Sequence, residues 1–597
     1  MPGGPKATNP QDAAVPTRHK FRIFLRLGTY LYKYKWNVLL AVVITIASNL
    51  FALIGPKLSG LAINAIQPGA GRVDFARVFY YCALMAVFYV LASGLQYLLQ
   101  VIMIRLSRSI VRQMREDIFH KLMRLRVGYF DRTQVGDIIS RISYDIDTIN
   151  ASLSTDFVQI VTSFITVVGS LAMMITISPR LCLVFVVTVP ASVLFTIYNS
   201  KHVRPLFRAR SAKLGELNGY AEEMLSGQRT IRAYGREREM IARFDRRNTD
   251  AVDAYFKADY YGTLVGPTVN FINNLSLTMV SVFGALLYLS SAISLGDISS
   301  FVLYSRKFSG PINETANIIS ELQSAASAAE RVFRLLDEEE EPKDAPGARG
   351  FARVRGEVEA EHVRFGYDPG RVIIKDLNLK TTPGTVVAIV GPTGAGKTTI
   401  INLLMRYYDP DSGEIRLDGV PIREAARGAV RRSYTMVLQD TWLFSGTIRE
   451  NIAYGAHGEV SDERIEAAAK AAGIHSFIEK LPAGYDTVIT DDGVNISKGQ
   501  RQLMTIARAM MSDAPMLILD EATSNVDSRT EMRIQSAMLE LMRDRTCFVI
   551  AHRLSTVRGA DVILVLRGGE VIEHGNHDEL MAQKGFYYSL FQSQFKV

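Results

Sequence analysis

Six apolar segments in the first half of the chain are each long enough to cross a bilayer. They begin near Trp36, Val78, Phe157, Leu181, Phe271 and Ser299. A hydrocarbon core of about 30 Å requires roughly 20 apolar residues in a helix. The chain has 597 residues, too many for one domain. Its 48% hydrophobic and 21% charged content averages two unlike halves, the second reading as a soluble α/β domain.

Basic residues set the orientation. Arg105 to Asn150 carries Arg105, Arg108, Arg112, Arg115 and Lys121, and Lys201 to Asp259 is similarly basic. The links Ile177-Ser178-Pro179-Arg180 and Ser290 to Asp297 are short and nearly uncharged. By the positive-inside rule the long loops and both chain ends face the cytoplasm. The net charge of +8 is absorbed by this flanking pattern and does not point to nucleic acid. Phe21 to Tyr34 mixes Phe, Leu and Tyr with Arg22, Arg26 and Lys33, the pattern of an amphipathic helix at the membrane surface. Residues 1–20 are polar, lack the pattern of a cleaved signal peptide and read as a disordered cytoplasmic tail.

The long loops have helical periodicity from Arg105 to Arg126 and from Leu206 to Phe244. Helices of about 20 residues would reach about 30 Å beyond the bilayer. The expected turns lie at Thr133 to Asp137 and at Glu216 to Glu223. The sixth segment carries Arg306, Lys307 and Glu314 around Pro311. Charge at membrane depth is expensive and normally faces a wet cavity or another helix. This segment therefore either lines a path through the membrane or snorkels to the outer face. Asn270, Asn273 and Asn274 fit either part. Cys82, Cys182 and Cys547 are widely spaced in apolar surroundings and read as buried small hydrophobes. His574 and His577 read as a surface turn, not a metal site.

The acidic run Asp337-Glu338-Glu339-Glu340-Glu341-Pro342, followed by Gly347 and Gly350, reads as a solvated flexible boundary. Beyond it, Thr385 to Val390 is a buried-strand pattern leading into Gly391-Pro392-Thr393-Gly394-Ala395-Gly396-Lys397-Thr398. Thr399 to Leu404 then reads as helix. Strand, glycine loop and helix is the setting of a phosphate-binding loop. Backbone N–H groups across Gly391, Thr393, Gly394, Ala395 and Gly396 close around phosphate oxygens, and the helix N-terminus adds a positive dipole. Lys397 would hold the β- and γ-phosphates of ATP, Thr398 would ligate Mg²⁺, and Thr399 follows in the same binding segment. Met516 to Leu519 is a strand buried on both faces that ends in Asp520 and Glu521. Acids at such a strand end sit on the phosphate side of the sheet. Asp520 suits Mg²⁺ through water. Glu521 suits polarisation of an attacking water. A further strand, Cys547 to Ala551, delivers His552 to the same edge, where it would bridge the γ-phosphate and Glu521.

Together these motifs resemble the ABC transporter superfamily, in particular half-transporters of the exporter type, over nearly the whole chain after the tail. The expected fold is a membrane α-helical domain with six transmembrane helices and long cytoplasmic helical extensions (21–335), a linker (336–355) and an α/β P-loop ATPase domain (356–597). The resemblance implies that Tyr367 in Phe365-Gly366-Tyr367 stacks on adenine. It also implies that Gln439 in Val437-Leu438-Gln439-Asp440 joins Mg²⁺ and the attacking water to the membrane-domain contacts. Ser497, Gly499 and Gln500 match the signature segment that caps the ATP held by the opposite subunit, and Asp527 matches a loop crossing the dimer interface. The chain has one of each motif, so the resemblance implies a dimer with a second half-transporter subunit. ATP binding would close that dimer, cytoplasmic hairpins would transmit the closure to the spans, and hydrolysis would reset it.

One departure bears on the partner. The family's signature is usually Leu-Ser-Gly-Gly-Gln, whereas here it is Ile496-Ser497-Lys498-Gly499-Gln500. A long cation replaces a glycine where backbone approaches phosphate. Intact Lys397, Asp520, Glu521 and His552 beside that change resemble the consensus-catalytic subunit of a heterodimeric multidrug exporter. A homodimer that tolerates Lys498 is the alternative. The expected cargo is an amphipathic small molecule or drug, with a lipid flippase as the alternative. Six spans argue against a DNA-repair ATPase, intact Glu521 against a regulated channel, and the fused exporter order against an importer. The simplest location is a bacterial inner membrane.

Overall fold

The computed structural model describes residues 17–66, 73–368, 370–439, 441–490, 496–520, 527–551 and 554–595. Contacts divide the chain into two units. The first holds residues Met1–Arg124 and Thr133–Glu338, and the second holds Leu125–Arg132 and Glu339–Val597.

The first unit is helical. In chain order the helices are α1 (Thr17–Tyr32), α2 (Lys35–Asn64), α3 (Phe75–Leu122), α4 (Val127–Arg132, which belongs to the second unit), α5 (Val135–Ser140), α6 (Ile146–Ala151), α7 (Phe157–Ile177), α8 (Pro179–Ser226), α9 (Gln228–Ala233), α10 (Glu237–Thr263), α11 (Val265–Leu289) and α12 (Leu295–Asp337). Two π-helical turns, Arg141–Asp145 and Ser152–Asp156, join α5, α6 and α7 into one run. Among the described residues five helical runs are long and apolar enough to cross a membrane: Lys35–Asn64, Phe75–Leu122, Val135–Ile177, Pro179–Ser226 and Glu237–Leu289. The sixth expected segment is α12, whose first turns carry Asp297, Arg306 and Lys307 among apolar residues. Many large apolar side chains point outward, including Trp36, Phe79, Val186 and Leu194. That is the surface a lipid solvent permits and water does not.

Local chemistry places these helices. Ser178 is extended and Pro179 opens α8, separating it from α7. Ser294 and Asp297 form a capping box that starts α12. A Cβ on Gly296 would lie 2.0 Å from the Gly60 carbonyl oxygen, so α2 and α12 touch where only glycine fits. Below that contact the buried Tyr304 hydroxyl donates to the Leu53 carbonyl at 2.6 Å, and Ser300 donates to the Pro56 carbonyl at 2.9 Å. At the other end of α12, Arg331 grips the buried Asp145 of the first π-helical turn. Asp337 is held by Arg26 of α1, whose guanidinium also lies 4.5 Å from the Phe333 ring centre.

The second unit is a ten-stranded mixed sheet with helices on both faces. Its strands are β1 (Val358–Phe365), β2 (Ile374–Lys380), β3 (Val386–Val390), β4 (Ser412–Leu417), β5 (Val420–Pro421), β6 (Tyr434–Val437), β7 (Gly446–Thr447), β8 (Val488–Ile489), β9 (Met516–Asp520), β10 (Thr546–Ile550), β11 (Val562–Arg567) and β12 (Glu570–Gly575). Spatial order is β5-β4-β1-β2-β12-β11-β3-β10-β9-β6, with β7 and β8 paired apart. The helices that matter for the site are α13 (Lys397–Leu404), α14 (Arg427–Arg432), α15 (Ile448–Ala453), α16 (Asp462–Ala471), α17 (His475–Ile478), α18 (Lys498–Met510) and α19 (Ser528–Met542). Strand alternation explains the unbroken apolar run of β9. Leu517 and Leu519 join the core under α18 and α19, while Met516 and Ile518 join the core under α13.

Several sequence expectations are corrected. Glu216 to Glu223 is not a turn, because α8 continues to Ser226 and the chain reverses only through Gly227, α9 and Arg236. Thr133 to Asp137 is only partly a turn, since α5 begins at Val135. The acidic run is not merely solvated. Glu341 pairs with Arg431, and Asp344 accepts from the Arg427 backbone N–H at 3.0 Å. Cys547 is buried as expected, Cys182 is intermediate, and Cys82 is exposed on α3.

Candidate functional site

Four parallel strands build the site. β3, β10, β9 and β6 lie side by side, with Ile389 opposite Ile550, Ile550 opposite Asp520, and Leu519 opposite Val437. Parallel pairing brings their carboxyl ends to one edge. Gly391 follows β3, Asp520 ends β9, and Gln439 lies two residues beyond β6. Glu521, the residue after β9, and His552, two residues beyond β10, lie outside the described residues.

The glycine loop folds as its sequence requires. Gly394 and Gly396 adopt φ of 80° and 105°, a region open to glycine and strained for other residues. Gly396 leads directly into α13, so the first N–H groups of that helix open onto the loop. Thr393, Gly394 and Thr398 are exposed, while Ala395, Gly396 and Thr399 are buried beneath them. The Lys397 ammonium donates to the Gly391 and Pro392 carbonyls at 2.8 and 3.1 Å. Burial holds the Lys397 pKa below its ordinary value, and the Asp520 carboxylate opposes that shift. A cation, a ring of backbone donors and a carboxylate thus share one strand edge.

Tyr367 lies beside this loop. Its hydroxyl donates to Thr399 Oγ1 at 3.2 Å and accepts from Asn402 Nδ2 at 3.0 Å. Its ring packs edge-on against Phe365 and Tyr408, each with centroids 5.0 Å away. The signature residues sit elsewhere. Ser497 caps α18, accepting from the Gln500 N–H at 3.2 Å while its own N–H donates to Gln500 Oε1 at 2.9 Å. Gly499 is buried at the same helix start, and Lys498 is exposed. No hydrogen bond links Ser497, Gly499 or Gln500 to the glycine loop among the described residues. Asp527 caps α19 through the Thr530 N–H at 2.9 Å, which holds its carboxyl below the usual range.

Two clusters escaped the sequence reading. In the first, α4 and its neighbours belong to the sheet unit. Arg132 donates to the Tyr367 carbonyl at 2.8 Å, and the Tyr408 hydroxyl bonds Asp131 at 2.5 Å. Burial pushes the Tyr408 pKa up, and Asp131 adds to the shift. In the second, Arg508 of α18 donates to the Asn451 carbonyl at 2.8 Å and to the Trp442 carbonyl at 3.0 Å. It lies within about 6 Å of the Trp442, Phe444 and Tyr454 rings. This pins the segment after Gln439 to the helix that starts at the signature. Neither cluster has a local motif, because each joins residues far apart in sequence.

Comparison with known proteins assigns the family. Residues 38–312 match the ABC transporter transmembrane region, and residues 374–524 match the ABC transporter ATPase model. The uncharacterized ABC transporter ATP-binding protein YfiC of Bacillus subtilis is 42% identical over 571 residues, 96% of this chain and 94% of that protein. A fatty acid ABC transporter ATP-binding/permease protein of Mycobacterium tuberculosis is 47% identical over 528 residues, 88% of this chain and 83% of its own. An ATP-dependent lipid A-core flippase of Vibrio cholerae is 35% identical over 582 residues, 96% and 98% of the two chains. The chain belongs to the ABC transporter family. It is a fused membrane and ATPase chain of the exporter type, which binds ATP and couples its hydrolysis to transport across a membrane.

Proposed function

We propose that this protein exports amphipathic molecules, drugs or lipids, by alternating access, as one half of a dimer. The observation that carries this reading is the joining of an apolar helical unit to a sheet whose strand ends gather Lys397, Asp520 and Gln439. Lys397 and the loop from Gly391 to Gly396 bind the ATP phosphates, and Tyr367 stacks on adenine. Glu521 polarises the attacking water, and His552 and Gln439 position it. Thr398 and Asp520 are oxygen donors, which suits Mg²⁺, and Asp520 stands close enough to Lys397 to act on its ionisation. Thr398, Asp520 and Gln439 would hold the ion, which when bound neutralises charge on the phosphates.

Residues 1–20, 21–335, 336–355 and 356–597 serve as tail, membrane domain, linker and ATPase domain. The ATPase domain and both ends face the cytoplasm of a bacterial cell, with the spans in its inner membrane. The relatives named for fatty acid and lipid A-core transport support a lipid-like cargo, so the flippase reading stands beside drug export. Lys498 at the start of α18 supports a heterodimer in which this chain supplies the competent catalytic acids. Ser497, Gly499 and Gln500 face the ATP of the partner.

Inside-out membrane vesicles test the export reading. ATP, and not a non-hydrolysable analogue, should drive uptake of a fluorescent amphiphile. Equal uptake with both nucleotides would contradict it.

A further inference from the structure

At the sheet edge opposite the glycine loop, a cavity of about 340 Å³ opens between the linker, α14 and the turns after α15 and α18. Ser433 and Pro515 line it, and they directly precede β6 and β9. The whole of β9, about 16 Å of strand, therefore separates it from Asp520. Its wall carries Arg353 from the linker, Arg432 from α14 and His457 from the turn after α15. All three are exposed, and none has an ion-pair or hydrogen-bond partner among the described residues. Nearby arginines are engaged. Arg427 and Arg431, on the same helix as Arg432, pair with Asp409 and Glu341, and Arg545 donates to the Ser512 carbonyl at 2.8 Å. Asp513 is the one carboxylate in the wall among the described residues. Its side chain is 88% exposed and already paired with Arg464 at 2.9 Å. Asp418, at the end of the linker, accepts from the N–H groups of Arg355, Gly356 and Glu357. Ser512 Oγ accepts from the Ala514 N–H at 3.3 Å, which leaves its O–H to donate. The half-buried Phe351, Val354 and Ala456 give the cavity an apolar side.

We infer that this cavity binds a phosphate monoester carried on a small apolar or ring-bearing molecule, at a site separate from that of ATP. The two unpaired guanidiniums suit the charge of about −1.5 to −2 that a monoester carries at neutral pH. Their planar forks each take two phosphate oxygens. His457 and the Ser512 hydroxyl donate to the oxygens that remain. The cations alone would suit free phosphate, and it is Phe351 with its apolar neighbours that calls for an organic body. The volume is at the low end of the roughly 300–1,000 Å³ of small-molecule pockets, which sets the ligand at metabolite size. Bound there, it ties the linker to α14 and to the turn after α15, three segments far apart in sequence.

The test is calorimetric titration of the full-length protein in nanodiscs, with a non-hydrolysable ATP analogue saturating the catalytic site. The probes are phenyl phosphate, inorganic phosphate, benzoate and benzyl alcohol. Phenyl phosphate should bind once per chain, about tenfold or more tighter than benzoate or benzyl alcohol. It should also bind several-fold tighter than inorganic phosphate. Arg353→Gln with Arg432→Gln should weaken phenyl phosphate by about tenfold or more. Affinity for the ATP analogue should stay as in wild type, which shows that the domain is still folded. Absence of saturable phenyl phosphate binding, binding undiminished in the double variant, or benzoate bound as tightly would each overturn the site. Inorganic phosphate bound as tightly as phenyl phosphate would overturn the organic body. Phenyl phosphate that binds only when the ATP analogue is left out, or a double variant that loses both ligands alike, would overturn a site separate from that of ATP.

Discussion

The Tyr408 hydroxyl and the Asp131 carboxylate lie 2.5 Å apart, tying the short helix α4 to a ring packed edge-on against Tyr367. α4 descends from the first long loop between apolar segments, yet it is part of the sheet unit. The bond therefore links the proposed adenine platform to the chain that leads back to the membrane helices.

Tyr408→Phe should weaken that link without removing any phosphate-binding group. A hydrogen bond to a charged acceptor contributes about 1.5–3 kcal/mol, and partial exposure puts this one at the low end. Transport per ATP hydrolysed should fall several-fold while ATP turnover persists. Parallel measurement of both rates decides the matter, and an unchanged ratio would remove Tyr408 from the coupling path.

Arg331 and Asp145 give a stability prediction for the helical unit. The Asp145 side chain is 3% exposed and Arg331 holds both its oxygens, at 2.5 and 2.9 Å. Arg331→Met would leave a buried carboxylate without its cation, a loss of about 3 kcal/mol, kept at the low end because Arg331 is itself 39% exposed. Thermal unfolding of the purified protein should begin several degrees lower. Adding Asp145→Asn should recover part of the loss, and no recovery would assign the effect to packing alone.

Five of the six expected apolar segments and the strand-loop-helix around Lys397 were legible in the sequence because each is a local pattern. Apolar length reports a span, and glycine spacing reports a loop whose φ values other residues resist. The reversal after Ser226 was not legible. Glu216 to Glu223 is polar enough for a turn, but no residue there breaks the helix, and α8 runs through it. The bonds of Tyr408 with Asp131 and of Arg508 with Asn451 were equally hidden, since the partners are 277 and 57 residues apart. The acidic run misled for the same reason. Its partner Arg431 lies 90 residues away on α14.

Asp409 supplies a pH dependence in the sheet unit. Burial works to raise its pKa, but bonds from Arg406 at 3.0 Å and Arg427 at 2.6 Å outweigh burial and hold it below the usual value. A depressed carboxyl stabilises the fold above its unfolded pKa of about 3.9 and loses that contribution as pH falls through the lower folded value. Asp409→Asn should therefore unfold more easily near neutral pH, with the gap to wild type closing below about pH 4. Melting of the two full-length proteins across that range checks the sign. A gap that widens on acidification would contradict it.

Lys498 bears on the partner. Lys498→Gly restores the small residue of the family's usual signature at the start of α18. In a heterodimer with unequal sites it should change nucleotide occupancy at one site and leave the melting temperature within about a degree, as surface changes do. Equal occupancy at both sites, before and after the change, would contradict unequal sites.

The most direct test of the account measures ATP turnover and amphiphile movement together in reconstituted proteoliposomes, for wild type and for Glu521→Gln. Wild type should do both. The variant should bind ATP, lose hydrolysis by about a hundredfold or more, and lose sustained movement in the same proportion. Hydrolysis or continued ATP-driven movement at the wild-type rate in Glu521→Gln would contradict it.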